Sequence, residues 1–597
     1  MDPQPPPDPD PARIDRDELV PPHTGDTILP NSPFFNRLVR YAHRQPPRLA
    51  IRDVTLGVEK TYLQLLTDAL ALRKTLNDTL SPAARKALKN GEDVYVALLA
   101  PGGYEYAVAF VAIVALGAAV VPMTVVLPVE EASYFILKAN CVGILASSGA
   151  ISLGTSLTTL VKKKSNTDIF CLPIAPSFRP SPLPASDILV SSSRALDDNA
   201  AGVVIFTSGT TGRPKGAVLR RHFVHSFGES IADHYRVGET DVILHVLPVH
   251  HATGIGINFV PFLNAGACVE FRSGSFDPAW TWERWKRTDK DGLTFFSGVP
   301  TIYMRMMRYY EQTLKRLPEA ELREYVDGAR RLRALLCGTS ALPSPVQKFW
   351  TEVLGGRGIL TRYGATEFGV GFSVPFERQG AGDVPEGSVG VPMPGVEVKL
   401  SEGDEGEVLI KSPHMFSHYL SDPPSTSHSH DPLGFFKSGD IARRVGPYYF
   451  ITGRASLDII KSGGYKISAL DIEREILGLP YVAEVMVVGV ADEEFGQRVA
   501  AAVTLREYQS EYVYATGGGR GEGEGKRRLT IEDLRRHLRS KLAGYKLPTL
   551  LRVVEGEFPK TASGKVLKKV LGPRYFHAVY RRDPGVQVWD RQEKSRL

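Results

Sequence analysis

Cysteine is scarce: Cys141, Cys171, Cys268 and Cys337 are the only four in 597 residues, and no two form a C-x-x-C pair. Neither a disulfide framework nor a thiolate zinc site is supported, and a reducing compartment is the expectation. Charge of one sign is scarce too. The 72 basic and 66 acidic side chains leave a formal net charge of only +6, which gives no footing for nucleic-acid binding. The most apolar stretch, 107–127, would be long enough for a membrane span, but Gly117 and Pro122 cut it into helix-sized and strand-sized pieces suited to a βαβ unit. The opening MDPQPPPDPDPARIDRDE lacks the apolar segment of a secretory signal and is too acidic for a mitochondrial transit peptide. Residues 1–30 are expected to be a disordered leader, because Pro and Asp cannot bury enough surface to order it.

What is present is enough apolar sequence, 43%, for at least two ordinary cores. Val94–Leu99 reads as a buried strand, Tyr106–Leu116 as a buried helix and Ala118–Val121 as another strand. Alternation resumes over Val242–Leu247, Ile257–Leu263 and Ala267–Phe271, so the class is α/β with a mostly parallel sheet. The chain is organised around Val203–Leu219, VVIFTSGTTGRPKGAVL. A β-branched strand runs into a loop whose Gly209, Gly212 and Gly216 let backbone N–H groups approach an anion. Thr207, Ser208, Thr210 and Thr211 add hydroxyl donors, and Lys215 supplies a point charge. Pro214 before the lysine and Gly216 after it break the G-x-x-x-x-G-K-[ST] spacing, which disfavours a P-loop NTPase.

The string T-S-G-T-T-G-x-P-K-G resembles the phosphate-binding signature of the acyl-adenylating superfamily, which contains acyl-CoA synthetases, luciferases and peptide-synthetase adenylation domains. Further strings resemble the same family in the same order, from about Val94 to Lys565. The resemblance implies a large N-terminal domain of mostly parallel sheets and helices over 31–455, and a small mobile α+β C-terminal domain over 456–597 hinged near Ser456. Many relatives carry Asp or Lys at that hinge position. It implies that His251 of LPVHH lines the acyl pocket, that Gly338, Thr339 and Ser340 lie against adenine, and that Tyr363 of YGATE stacks on it. Gly364 belongs to that string; Thr366 would reach the α-phosphate, and Glu367 would hold Mg²⁺ on ATP. Asp440 and Arg454 would bind ribose; Lys461, Gly463 and Gly464 would line the pantetheine arm of CoA. Lys565 of PKTASGK would enter the site to orient carboxylate and ATP. ATP and CoA are thus implied co-substrates and Mg²⁺ the implied metal.

The acid is suggested by a departure. Arg362 stands where many relatives have a small residue, and this resembles malonyl-CoA synthetases, where such an arginine grips the far carboxylate of a dicarboxylic acid. SGVPTIY, EGSVGVPMPGVEV and DIIKSGGYKISALDIE are similar to that group as well. Malonate or methylmalonate is therefore the expected substrate. A medium-chain or aromatic acid ligase is the runner-up, and a catalytically silent binding protein on the same fold is a reading from another class. The terminal Ser595-Arg596-Leu597 resembles a peroxisomal address read by an import receptor, with cytoplasm or mitochondrion as alternatives. Pro180–Pro184, Ser421–Pro432 and Gly517–Arg528 read as surface insertions.

Overall fold

The structure, a computed structural model, describes residues 25–207, 213–287, 292–455, 458–463, 465–506, 512–513, 527–561, 565–577 and 579–589. The described residues of Met1–Phe276, Asp291–Ser297 and His414–Ser427 make one compact unit, and those of Asp277–Lys290, Gly298–Pro413 and His428–Leu597 make another.

In the first unit a seven-stranded sheet has the order His418–Tyr419, Lys215–Arg220, Ala201–Thr207, Ala119–Met123, Tyr95–Leu99, Gly143–Ala146, Phe170–Pro173. The last five strands run parallel, as the near-continuous apolar sequence demands of strands covered on both faces. Helix Tyr104–Leu116 makes the crossover between Tyr95–Leu99 and Ala119–Met123; twelve of its thirteen residues are buried, and it stops at Gly117 in the left-handed conformation. Its apolar sequence serves a core; no described helix is long and apolar enough to cross a membrane. We label Ala201–Thr207 β1 and Lys215–Arg220 β2. They pair antiparallel, with Lys215 opposite Thr207, so the strand ends that flank the glycine-rich loop lie side by side. The same unit holds the parallel pair Val242–His245 (β3) and Cys268–Phe271. Between them the chain is helical, as the sequence suggests, but its first part, Gly254–Phe259, is a π-helix before Val260–Asn264 continues as α.

In the second unit, Ala334–Cys337 lies parallel to Leu360–Ala365 (β4), which turns back antiparallel into Gly369–Ser373. A four-stranded antiparallel sheet ends with Phe436–Val445 (β5) and Tyr448–Arg454 (β6), with Asp440 opposite Arg454. Beyond residue 458 the chain builds a smaller α+β body on its own apolar cluster, which includes Ile460, Ile467, Ile472, Val487, Leu534 and Leu551. The architecture is the expected α/β fold with a smaller C-terminal region. Ser421–Pro432 is more than a surface loop: Pro423–His428 is helical, because Asp422 caps it by accepting from Ser425 N at 3.1 Å.

The strand before Gly338 is pinned by a tryptophan cluster. The rings of Trp282 and Trp350 are both fully buried and stack 5.6 Å apart, and Trp350 donates to the carbonyl of Tyr303, whose hydroxyl donates to Leu336 at 2.9 Å. Trp350→Ala is expected to remove about 3–5 kcal/mol from this unit. Denaturant unfolding followed by near-UV circular dichroism should show an earlier transition, with Trp350→Phe intermediate; an unchanged midpoint contradicts the assignment.

Candidate active site

In the first unit, Thr207 ends β1 and Lys215 opens β2, and the Thr207 hydroxyl faces the Lys215 carbonyl at 3.4 Å. Ser208, Gly209, Thr210, Thr211 and Gly212 lie outside the described residues. The Lys215 ammonium donates to Ser425 Oγ at 2.7 Å and sits 5.3 Å from the Tyr419 ring centre. The sequence reading gave no part to the segment that supplies both partners.

His250 and His251 follow β3, with ring centres 4.3 Å apart. Burial first, and the neighbouring His251 second, push His250 down to about 3, so it is neutral at physiological pH. The turn they share is held by His245, which is buried and bonds through Nε2 to the Gly254 carbonyl at 3.0 Å. Gly254 has no substitute: a Cβ there would lie 2.1 Å from the Pro248 carbonyl oxygen. The π-helix it opens carries Asn258, fully buried, with neither amide atom hydrogen-bonded among the described residues. A π-turn and an unsatisfied buried amide in one segment mark a place shaped for something other than stability. Nothing in GIGINF announces either.

In the second unit, the loop after Ala334–Cys337 begins at Gly338, and Arg362 of β4 packs across it. A Cβ at 338 would meet Arg362 Cγ at 3.0 Å and Nε at 3.1 Å, so glycine is what admits the arginine. Arg362 is only 7% exposed. Thr339 has φ +73°, a strained value for a β-branched residue, and its buried hydroxyl has no hydrogen-bond partner among the described residues. Ser340 follows it in the same turn.

Tyr363 points its hydroxyl at Asp440 Oδ2, 2.8 Å away, and its ring stacks on Phe372 at 5.5 Å. Burial, then the Asp440 charge, hold the phenol well above its usual pKa, so it remains a donor. The other Asp440 oxygen accepts from Arg454 Nε at 2.9 Å. Gly364 lies near the end of β4, and Thr366 and Glu367 occupy the tight turn leaving it; the Glu367 charge is felt at Arg454. Lys565 lies in the same electrostatic neighbourhood. The residue as a whole is exposed, but neighbouring atoms crowd water from its ammonium; that, then the Arg454 charge, lower its pKa, while Asp440 and Asp458 oppose the shift. A second cluster supports this one. Asp458 accepts from Arg454 N at 3.0 Å, and Lys568 joins Asp458 at 2.6 Å to Glu473 at 2.8 Å. Burial alone would lower Lys568, but Glu473 and Asp458 outweigh it and hold the ammonium charged.

Lys461 is exposed on the strand Ile459–Ser462, and Gly463 turns it with φ +55°. Gly464, Ser456 and Ser595-Arg596-Leu597 lie outside the described residues.

The structure thus assembles tyrosine, aspartate, arginine and lysine in one unit, and a lysine-bearing loop with paired histidines in the other. Residues 38–420 match the family described as AMP-binding enzyme, and residues 471–565 match the AMP-binding enzyme C-terminal domain. The chain belongs to the AMP-binding enzyme family. A CoA ligase of Gibberella moniliformis is 30% identical over 92% of this chain and 96% of its own length. The malonate–CoA ligase of Arabidopsis thaliana is 38% identical over 64% of this chain and 62% of its own. The mitochondrial malonate–CoA ligase ACSF3 of Xenopus laevis is 31% identical over 86% and 87%. Among solved structures, ATP-bound MatB from Rhodopseudomonas palustris superposes with a TM-score of 0.71 at 25% identity, covering 92% of this chain and all of that one. The motif-based resemblance to acyl-adenylating enzymes and to malonyl-CoA synthetases is borne out, and with it the class of adenylating enzyme.

His245 supplies a pH test for this AMP-binding enzyme. Burial lowers it to about 4, below the ordinary histidine value, so the unfolded chain binds its proton first on acidification. Stability contributed by the neutral ring is complete above pH 6.5 and is lost as pH falls toward 4. Urea midpoints of the parent should therefore drop across that window, and His245→Gln should show a shallower drop; parallel slopes contradict the assignment.

Proposed function

We propose that this chain is an ATP-dependent acid–CoA ligase that converts malonate to malonyl-CoA through malonyl-AMP. The observation that carries the reading is the buried Arg362 guanidinium, fixed against Gly338 beside the strained Thr339. The side chain is 7% exposed, and a planar guanidinium is suited to the second carboxylate that a dicarboxylic acid carries. The printed names of the relatives from Arabidopsis and Xenopus, and of a malonyl-CoA ligase complex holding methylmalonyl-CoA and AMP, support it; that last structure is 27% identical with a TM-score of 0.57.

The chemistry has two displacements. A malonate carboxylate oxygen attacks the α-phosphorus of ATP, the bond to pyrophosphate breaks, and malonyl-AMP forms. The CoA thiolate then attacks the acyl carbon and AMP leaves. Lys215, Thr207 and the loop 208–212 offset charge on the polyphosphate, with Thr366 at the α-phosphate. Tyr363 gives the adenine a flat face. Asp440, its outer hydrogen bonds already taken from Tyr363 and Arg454, turns its remaining lone pairs to the ribose hydroxyls. Lys565, kept near Asp440 and Arg454, orients the carboxylate and ATP for the first displacement. His251 lines the acyl pocket; Lys461, Gly463 and Gly464 line the path of CoA after the C-terminal domain, 456–597, turns about Ser456.

Mg²⁺ fits this site as an ion shared with substrate. Among the described residues no group of three or more His, Cys, Asp or Glu side chains could hold a metal, and Mg²⁺ commonly takes one or two carboxylates plus substrate phosphates. Glu367 would hold it, and when bound it adds positive charge at the phosphates.

Arg362→Ala is expected to lower kcat/KM for malonate about 100-fold or more, in line with the loss of a charge-assisted pair, while activity with a monocarboxylate changes little. Malonate turnover left intact contradicts the assignment of Arg362 and of the acid.

A further inference from the structure

We propose that Ser425, backed by Asp422, is a positioning residue for the Lys215 ammonium, so that the stretch read from sequence as a polar insertion is part of the ATP site. The proposal rests on Lys215 meeting the polyphosphate. Ser425 sits on the short helix Pro423–His428, and its Oγ accepts from Lys215 Nζ at 2.7 Å. Asp422 Oδ1 accepts from Ser425 N at 3.1 Å, and its carboxyl is held below its usual range first by the Ser425 side chain, then by that backbone N–H, with the Lys215 charge adding to the effect.

This platform is tied to the strand that carries the lysine. Leu420 N donates to Gly216 O at 2.8 Å, and Ala217 and Val218 of β2 pair with Tyr419 and His418. Tyr419 N donates to Thr426 Oγ1 at 3.0 Å, and Thr426 Oγ1 donates to Asp422 O at 3.0 Å, so the turn cannot drift from β2 without breaking several bonds. The Tyr419 ring flanks the ammonium.

The choice of a hydroxyl partner has a chemical consequence. An ammonium has three N–H donors. Ser425 takes one, which leaves two for phosphate oxygens, and the carboxylate stands one hydrogen bond further away. The charge is aimed without being cancelled. A carboxylate in direct contact would hold the lysine more tightly and compete with phosphate for it. Aiming a flexible four-carbon side chain before substrate arrives removes part of the ordering cost of binding.

The test is steady-state pyrophosphate release with purified full-length chain. Ser425→Ala should raise KM for ATP about tenfold, the scale expected of one hydrogen bond to a charged group, with KM for the acid unchanged. Ser425→Thr should restore the parent value, and Asp422→Asn should raise ATP KM by a smaller factor. On a Lys215→Ala background, Ser425→Ala should add nothing, because the pair acts as one unit. Should Ser425→Ala fail to fold, the Asp422→Asn and Ser425→Thr values carry the test. A collapse in Lys215→Ala with Ser425→Ala silent overturns the positioning role and leaves the lysine's role standing. A silent Lys215→Ala overturns both. A lower ATP KM in Ser425→Ala would show restraint of the lysine and also overturn the proposal.

Discussion

The carboxylate of Asp440 is the interaction that ties the second unit's polar network together. One oxygen takes the Tyr363 hydroxyl at 2.8 Å and the other takes Arg454 Nε at 2.9 Å, so a single side chain fixes an aromatic ring on β4 to a guanidinium on β6. The antiparallel register of β5 and β6 makes this possible by setting Asp440 opposite Arg454. Arg454 in turn gives its backbone N–H to Asp458, and Asp458 holds Lys568, three residues beyond Lys565. Asp440, the chain after β6 and the segment that carries Lys565 therefore belong to one connected polar network. Such networks are worth most when every member is satisfied, and lose more than one bond when any member is removed.

Charge is handled differently at different cations. Around Arg454 and Lys568, cations are paired with carboxylates at 2.6–2.9 Å. Lys215 instead meets a hydroxyl and an aromatic face. Lys215 is one of the cations whose proposed ligand is an anionic part of a substrate.

Much of this was legible in the sequence. Strand and helix lengths over Val94–Leu116 could be read because apolar runs end at Gly and Pro, and Lys215, Tyr363, Asp440 and Arg454 could be named because they stand in strings of specific spacing. Other features left no mark. The π-turn at Gly254–Phe259 depends on how Gly254 backs onto Pro248, a tertiary contact, and the strain at Thr339 is a dihedral angle that no residue type announces. Ser425 was hidden by composition: a Pro, Ser and His-rich stretch reads as a solvated loop, and only the fold shows its hydroxyl under the lysine.

The most direct measurement is pyrophosphate release with ATP, Mg²⁺ and CoA across malonate, methylmalonate, acetate, octanoate and 4-coumarate. The account predicts that malonate, with methylmalonate next, is turned over with the highest kcat/KM and that acetate is poor. Preference for octanoate or 4-coumarate would contradict the role given to Arg362 while leaving an adenylating ligase, and no acid-dependent pyrophosphate release from any of the five would contradict the ligase reading itself.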